Sequence, residues 1–413
     1  MYRYMAGDCR ETGRHPVADR TLILYLALIG FFAIFSTTIS KNPVLPLFAQ
    51  ALGAGDSILG LIAAVSPLAG ILFSFPVGVM SDRLGRRRLL IISGIVFLTA
   101  PLCYLIITDP LALIPIRFFH GTATAILGPV VSAIIAERFP MTKGEMLGSY
   151  SSATLIGRTL APLAGGIIIS VFMFLPGLFP YRMVYIAAAL AAVPVLYLIL
   201  RYREDKPGTT EIPGFSVFRE SLVTFIANRR LRATAMADMA TYFAFGAFET
   251  FLPVYLVSLH YEAWQIGVIF AIQVLIIAAT KPFFGRIADR VDKRYQILAG
   301  ILITGASVAI IPFSADFGTV LAVSAMFGLG MSLSTVATSA YVADVAKREQ
   351  IGASMGALSS IMDIGHSAGP LVTGIVITVA GYTSGFFTGF IVALAAAGIF
   401  AISARGPGGN ITG

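Results

Sequence analysis

The sequence predicts an all-α membrane protein of twelve transmembrane helices, arranged as two pseudo-symmetric bundles of six. Three observations support this class. The 413 residues are 57% hydrophobic and only 12% charged, whereas a soluble domain carries about 25% charged residues. The apolar residues form blocks of roughly 18 or more, which is long enough to cross a bilayer as a helix. The chain also repeats itself over half its length.

Twelve apolar blocks are predicted as spans one to twelve. In chain order they cover 22–48, 57–80, 89–108, 111–136, 147–172, 183–201, 232–258, 264–287, 295–314, 317–342, 352–379 and 383–403. The longest polar connection divides them into six and six. The predicted organisation is an N-terminal tail, an N-terminal bundle, a linker, a C-terminal bundle and a C-terminal tail, with bounds 1–20, 21–201, 202–231, 232–403 and 404–413.

The basic residues are distributed by side of the membrane. The net charge is +8, but nearly all lysines and arginines fall in the tails and in alternate loops. Only Arg182 falls in a loop on the other side. This is the positive-inside pattern, so we expect a multi-pass protein of the cell membrane with both termini in the cytoplasm. The charge therefore indicates topology and argues against a nucleic-acid partner.

The polar residues show no pattern of catalysis or metal binding. Cys9 and Cys103 predict neither a disulfide framework nor a metal site, and no nucleotide-binding loop or catalytic triad is evident. The first twenty residues are polar, which is not the pattern of a cleavable signal peptide. We therefore expect a protein that is not an enzyme and needs no cofactor.

Three stretches recur at a constant offset. Leu45-Pro46 recurs as Leu252-Pro253, GVMSDRLGRRRLL from Gly78 recurs as GRIADRVDKRYQI from Gly285, and the glycine-rich stretch of span five recurs in span eleven. The offset is 207 residues for the first two stretches and one residue more for the third. Duplicated halves with a solute site at their interface are a common plan of secondary transporters.

These motifs resemble those of the major facilitator superfamily. The stretch from Gly78 to Arg88 looks like its loop motif between spans two and three, Arg117 to Gly121 like its span-four motif, and Gly157 to Gly166 like the motif of its drug/proton antiporter branch. The resemblance covers about residues 20–403 and implies the major facilitator fold. The sequence departs from the family at Ala161 and His120, where glycine and glutamine are usual, and at Asp292, where the repeat would have glycine.

Two sets of residues are assigned from these motifs. The resemblance implies a cytoplasmic gate motif that comprises Gly78, Asp82, Arg83, Gly85, Arg86, Gly285, Asp289 and Arg290. Glu137 and Asp344, at equivalent ends of spans four and ten, are candidates for the same charge network. Small residues let helices approach closely in lipid. This predicts a packing role, at the interface between the two halves, for Gly157, Pro162, Gly165, Gly166, Gly365, Gly369 and Pro370.

Charged residues inside spans mark candidate sites, because a charge at the bilayer centre is costly and usually faces a cavity. Arg158 lies near the midplane of span five, and Arg117 lies in span four. Asp363 and His366 lie at the matching depth of span eleven, on one helix face. We expect Arg158 to face these two residues. Asp363 is the first candidate for a proton-binding switch and His366 the second; a structural Arg158–Asp363 pair is the alternative.

Span seven adds two carboxylates. Asp238 and Glu249 are eleven residues apart, which is close to three helical turns and places them on one face. Asp238 is either a cavity residue or merely interfacial. We expect Glu249 to pair with Lys41 of span one and to close an outer gate; the alternative gives Lys41 to an anionic substrate. Lys281, near the end of span eight, is expected to extend toward the membrane surface.

The function predicted from these features is secondary transport by alternating access. The leading hypothesis is proton-coupled export of small amphipathic organic compounds or drugs, by a monomer that uses protons as the coupling ion. The alternative is a transporter or exchanger of small organic anions, which would use Lys41, Arg117 and Arg158 of the basic N-terminal bundle.

Overall fold

The computed structural model of the protein describes residues 16–202, 222–346 and 351–404, with side chains for most of them. Every regular element in the described part of the chain is helical, and no strand occurs there. Eleven helical segments of these residues are long and apolar enough to cross a membrane. The last of them bends back on itself and supplies two spans, so the count is twelve and the predicted fold class is confirmed.

The six spans of the N-terminal half follow one another with short connections. Span one consists of two helices, Pro16–Ile39 and Val44–Ala51, separated by a turn at 40–43. Spans two to six are Asp56–Leu84, Arg86–Tyr104, Leu113–Arg138, Lys143–Phe172 and Phe179–Arg201. A 3-10 turn, Pro110–Ala112, precedes span four.

The C-terminal half repeats this order. Residues 222–227 form a short helix, and spans seven to ten follow as Arg229–Ser258, Ala263–Ala288, Lys293–Ile310 and Phe317–Val345. Spans eleven and twelve share the helix Ile351–Ala404, which Gly381 interrupts with a φ of 78°. The hydroxyls of Thr373 and Thr388 lie 3.1 Å apart, whereas a straight helix would separate the two residues by about 22 Å. The chain therefore reverses at Gly381.

Several predicted boundaries differ from the observed helices. The first helix begins at Pro16, inside the predicted N-terminal tail, and span seven begins at Arg229, inside the predicted linker. Residues 222–227 of that linker are also helical. The remainder of the linker (203–221), residues 1–15 of the N-terminal tail and residues 405–413 of the C-terminal tail lie outside the described residues. Hydropathy misses these helix ends because polar residues continue a helix beyond the apolar block.

The two halves pack against each other through pseudo-symmetric pairs of helices. A Cβ atom at Gly60 of span two would collide with the carbonyl oxygen of Pro370 in span eleven, and one at Gly267 of span eight would lie 2.6 Å from that of Pro162 in span five. These two contacts are equivalent under the internal repeat. Span two therefore packs on span eleven as span eight packs on span five, and glycine makes both close approaches sterically feasible.

The predicted packing glycines serve contacts of two kinds. Gly157 lies against the Phe31 carbonyl of span one, and Gly365 and Gly369 lie against backbone carbonyls of span seven, so these contacts are within one half. Gly166 instead lies against Ala263 of span eight, in the other half. The prediction placed the whole motif at the interface between the halves. Most of it holds span five on span one and span eleven on span seven.

The end of the molecule that carries the basic loops near Arg86 and Lys293 is called the basic end. There, Arg86 forms an ion pair with Glu137. Lys293 Nζ lies 2.7 Å from a carboxylate oxygen of Asp344. Arg86 and Lys293 are separated by the 207-residue offset, and so are Glu137 and Asp344. The two ion pairs are therefore copies of one arrangement, which joins span three to span four in the first half and span nine to span ten in the second.

The loop motif is not identical in its two copies. Gly85 has a φ of 83°, a conformation that favours glycine. Its counterpart Asp292 has a φ of −57° and caps span nine, where it accepts a hydrogen bond from the Arg294 amide. The Arg294 side chain also donates to this carboxylate and holds the pKa of Asp292 below its usual range. The second copy has no glycine because its backbone does not need one.

The other predicted gate residues divide into two groups. The side chains of Gly78, Asp82 and Arg83 lie outside the described residues. In the second copy, Gly285 lies in the last turns of span eight, and Asp289 and Arg290 follow it in an exposed turn.

Candidate solute cavity

A central cavity of about 500 Å³ lies between the two halves. Spans one, two, four and five line it from the N-terminal half, and spans seven, eight, ten and eleven line it from the other. Most of the predicted site residues are among the lining residues: Lys41, Arg117, Arg158, Glu249, Asp363 and His366. The sequence therefore identified most of the charged lining and the Lys41–Glu249 pair, although not the other contacts of these residues.

Span one is interrupted where it reaches the cavity. The helix ends at Ile39 and resumes at Val44, and the turn between them presents Lys41 and Asn42. The amides of both residues share the carbonyl oxygen of Thr38. Pro43 and Pro46 lack amide protons and disfavour a continuous helix here. Breaks of this kind are typical of transporter sites, because they expose polar groups at membrane depth.

Glu249 of span seven lies at the centre of a polar network that joins the halves. One of its carboxylate oxygens lies 2.6 Å from Lys41 Nζ. The same oxygen lies 3.0 Å from Nε2 of His366. Asn42 donates a hydrogen bond to the other oxygen. Glu249 is only 5% exposed, so removal of a partner would leave a buried charge, which is strongly destabilising.

Three charged cavity residues have no such partners. Arg158 and Lys281 are exposed to the cavity and Asp363 is half-buried, and none of them forms an ion pair among the described residues. The carboxylate of Asp363 lies against Gly70 of span two. The alternative, a structural Arg158–Asp363 pair, is therefore not formed. His366 contacts Glu249.

Arg117 and His120 form a buried group beside the cavity. Each residue is 1% exposed. Nε and Nη2 of Arg117 and both ring nitrogens of His120 have no hydrogen-bond partner in the part of the chain that is described. The His120 ring packs edge-on against Phe97, with ring centroids 6.4 Å apart. Arg117 thus reaches the cavity wall from a mostly apolar setting.

Asp238 does not belong to the cavity. It is 4% exposed and accepts a 2.9 Å hydrogen bond from the Thr338 hydroxyl of span ten. It is absent from the lining residues, because it faces span ten instead. The prediction that it shares the cavity with Glu249 is wrong.

Two lining residues were missed or misassigned from the sequence. Lys281 was expected to extend toward the membrane surface, but it lines the cavity. Gln273 also lines the cavity; it is 1% exposed and its Nε2 has no acceptor among the described residues. Both lie on one stripe of span eight at a spacing of eight residues. The i, i+4, i+8 series that joins them through Ile277 was the available signal.

The contacts between the halves close one end of the cavity. Beyond the Glu249 network, Tyr382 donates to Asp56 at 3.0 Å, the hydroxyls of Ser57 and Thr378 lie 2.7 Å apart, and the Trp264 amide donates to Ser170. These contacts and the Lys41–Glu249 ion pair all lie away from the basic end. The structure therefore has its closed end opposite the basic loops.

Comparisons with known proteins agree with this architecture. The sequence profile of the Major Facilitator Superfamily matches residues 26–277 and 264–410. The uncharacterized MFS-type transporter MJ1560 of Methanocaldococcus jannaschii is 24% identical over 82% of this chain and 87% of its own length. The quinolone resistance protein NorA of Staphylococcus aureus strain COL is 24% identical over 85% of this chain and 89% of its own length.

Solved structures share the fold at lower identity. The nucleoside transporter NupG has a TM-score of 0.77 at 15% identity, with 93% of this chain and 99% of that chain covered. An inward-facing, occupied bacterial homolog of the human lysosomal transporter Spinster has a TM-score of 0.75 at 15% identity, with 95% and 98% covered. Two pseudo-symmetric six-helix bundles around a central cavity define a membrane transporter. The chain belongs to the Major Facilitator Superfamily.

Proposed function

We propose that this protein is a secondary transporter that works by alternating access and exports small amphipathic organic compounds in exchange for protons. The observation that carries the proposal is the central cavity, closed at one end by contacts between the halves and lined by both. Its volume of about 500 Å³ lies within the range of sites for drug-sized ligands. The likeness to NorA, whose name denotes quinolone resistance, supports the same class of solute.

Asp363 is the proposed proton carrier. It lines the cavity and forms no ion pair among the described residues, so it can gain or lose a proton without breaking a salt bridge. Glu249 differs, because Lys41, His366 and Asn42 already contact its carboxylate. A substrate and a proton would therefore compete in the cavity at Asp363, while Glu249 remains ionised.

Glu249 and Lys41 form the proposed gate at the closed end. Their ion pair joins the broken part of span one to span seven across the two halves. Opening of that end requires the pair to separate. In the opposite state, we propose that the two copies of the loop motif close the basic end.

The proposed orientation places the basic end in the cytoplasm of a cell whose plasma membrane contains the protein as a monomer. The positive-inside pattern supports this orientation. Under it, both terminal tails and the linker 202–231 are cytoplasmic, and the cavity in this structure is closed on the outer side.

Transport in proteoliposomes tests the proposal. We expect an imposed pH gradient to drive accumulation of norfloxacin (a quinolone) or ethidium by the purified protein. In Asp363→Asn, the gradient should no longer drive accumulation, whereas exchange of labelled for unlabelled substrate should persist. Glu145→Gln, a substitution outside the cavity, is the matched control. Accumulation that ignores the pH gradient, or that survives in Asp363→Asn, would contradict the proton role.

A second candidate function is exchange of small organic anions. Arg158 and Lys281, both exposed to the cavity and without ion pairs among the described residues, favour it. A thermal-shift screen with lipophilic cations and organic anions at about pH 6 and pH 8 separates the two functions. Stabilisation by cations that grows with pH supports proton antiport, and stabilisation by small anions alone supports anion exchange.

A further inference from the structure

The unpartnered polar atoms of the cavity are mainly hydrogen-bond donors. Arg158 and Lys281 are exposed to it without an ion pair, and Gln273 Nε2 and two nitrogens of Arg117 are buried without an acceptor, all within the described residues. Glu249, in contrast, has three partners already. A site rich in free donors is complementary to a ligand rich in acceptors.

The helix geometry brings the two free cations toward each other. Spans five and eight are antiparallel, with Gly267 against the Pro162 carbonyl. Arg158 lies four residues from Pro162 in the direction of the basic end, and Lys281 lies fourteen residues from Gly267 in the same direction. At 1.5 Å per residue, the Cα atom of Lys281 is therefore about 15 Å nearer to the basic end than that of Arg158. Helical side chains lean toward their own N-terminus. Arg158 therefore leans toward the basic end, and Lys281 leans toward Arg158.

A third donor lies between these depths. Gln273 is six residues along span eight from Gly267, and its side chain is 1% exposed yet lines the cavity. Its Nε2 has no hydrogen-bond acceptor in the described part of the chain, although buried amides are normally hydrogen-bonded. This unused donor marks a place where a ligand atom is expected.

We propose that Arg158 and Lys281 form an oxyanion clamp across the two halves, assisted by Gln273, that binds a carboxylate, sulfonate or phosphate group of the transported solute. The proposal rests on the proposed function in that this cavity is the transport site. It narrows the solute to amphipathic compounds with an acidic group. Charge-assisted hydrogen bonds from both residues would fix that group. Tyr242, Phe245 and Phe270, which also line the cavity, would contact the apolar part.

The remaining charges of the cavity fit this assignment. Lys41 is compensated by Glu249, and Arg117 is buried at the cavity wall, where two of its nitrogens have no acceptor among the described residues. Asp363 is the one free carboxylate among the lining residues, and the proposed function uses it for proton exchange.

The clamp also couples binding to closure. Arg158 and Lys281 belong to different halves, so closure of the basic end brings two like charges together. Like charges repel more strongly as they leave water. An oxyanion between them removes that repulsion, and the loaded cavity closes more readily than the empty one.

Binding to the purified full-length protein tests the clamp. The probes are 2-naphthoate, 2-naphthalenesulfonate and 2-naphthyl phosphate, with neutral 2-naphthamide as the matched control, all measured by isothermal titration calorimetry. We expect at least one anion to bind more tightly than the amide. Arg158→Gln and Lys281→Gln should each weaken that anion about tenfold, in the range of a charge-assisted hydrogen bond. The preferred probe identifies the oxyanion.

A control variant sharpens the result. Lys143→Gln removes an exposed lysine of span five outside the cavity and should leave every affinity unchanged. Equal binding of the amide and the anions, no binding of any anion, or anion binding that survives the Arg158→Gln/Lys281→Gln double substitution would overturn the clamp.

Transport of ethidium, which has no acidic group, keeps the two proposals separate. If pH-driven ethidium transport persists while the anion results fail, the clamp is wrong and the transporter proposal stands. If neither ethidium nor norfloxacin is transported in response to the gradient, the proposed function itself fails.

Discussion

Asn42 donates a hydrogen bond to Glu249 across 207 residues of sequence. That separation equals the offset of the internal repeat, so the two residues are equivalent positions of the two halves in direct contact. Equivalent positions can touch only near the axis that relates the halves. The gate network therefore lies near the pseudo-symmetry axis. A small rotation of one half against the other would change the contacts of Asn42 and of Glu249 at the same time.

The charges of the gate pair should be exchangeable. Lys41→Glu and Glu249→Lys alone place like charges together at a buried site, and each should lower pH-driven transport by about tenfold or more, equivalent to about 1.4 kcal/mol. The double exchange restores opposite charges and should recover much of that loss. Initial rates in proteoliposomes provide the measurement, with Lys143→Glu as a charge-reversal control outside the network. If both single reversals transport normally, the ion pair is not a gate.

The close glycine contacts should hold the closed end shut. Gly60→Ala and Gly267→Ala each drive a methyl group into a carbonyl oxygen of the other half, which costs about 1–3 kcal/mol by overpacking. Gly128→Ala meets nothing within 4 Å and is the control. The readout is maleimide labelling of Ser57→Cys, in a background where Cys9 and Cys103 are serine. Labelling should accelerate in the first two variants, and unchanged labelling in both would contradict this role.

The fold was predictable because its signals are local or repeated. Hydropathy located the spans, and the repeated Leu-Pro, loop and glycine motifs divided them into equivalent halves. The pairing inside the cavity was less accessible. Lys41 with Glu249 followed from the repeat, but Asp238 points at Thr338 and Lys281 points inward. The direction in which Asp238 and Lys281 point depends on how each helix is rotated about its axis. The sequence does not reveal this rotation, because both the lipid-facing side and the interior side of a membrane helix can be apolar.

Two glycines of the loop motif, Gly85 of the first copy and Gly285 of the second, should respond differently to substitution by alanine, although they are not equivalent positions. Gly85 adopts a φ of 83°, so Gly85→Ala should destabilise the protein by about 1–2 kcal/mol. Gly285 lies inside span eight and a Cβ there meets nothing within 4 Å, so Gly285→Ala should be neutral or stabilising by about 0.5–1 kcal/mol. Thermal unfolding of the purified variants measures both effects. Equal destabilisation by the two substitutions would contradict the assignment of backbone strain.

Asp238 should be a packing residue rather than a transport residue. Its carboxylate accepts a hydrogen bond from Thr338 and does not line the cavity. Asp238→Asn retains an acceptor oxygen, so transport should stay within about twofold of the wild type. Asp238→Ala removes the acceptor and should lower stability by about 1–3 kcal/mol. Proteoliposome rates and thermal unfolding separate the two effects. Loss of proton coupling in Asp238→Asn, with stability retained, would return this residue to the site.

Asp292 should make the cap of span nine sensitive to pH. Arg294 holds the pKa of this carboxyl below its usual range, so its charge stabilises the folded state above the unfolded pKa of about 3.9. That contribution is lost as the pH falls through the folded value. Asp292→Asn keeps the cap, because asparagine caps helices as well as aspartate does, but it removes the charge. The wild type should therefore melt above Asp292→Asn at pH 7, and the gap should close below about pH 4. A gap that is the same at both pH values would show that the charge on Asp292 has no part in the cap.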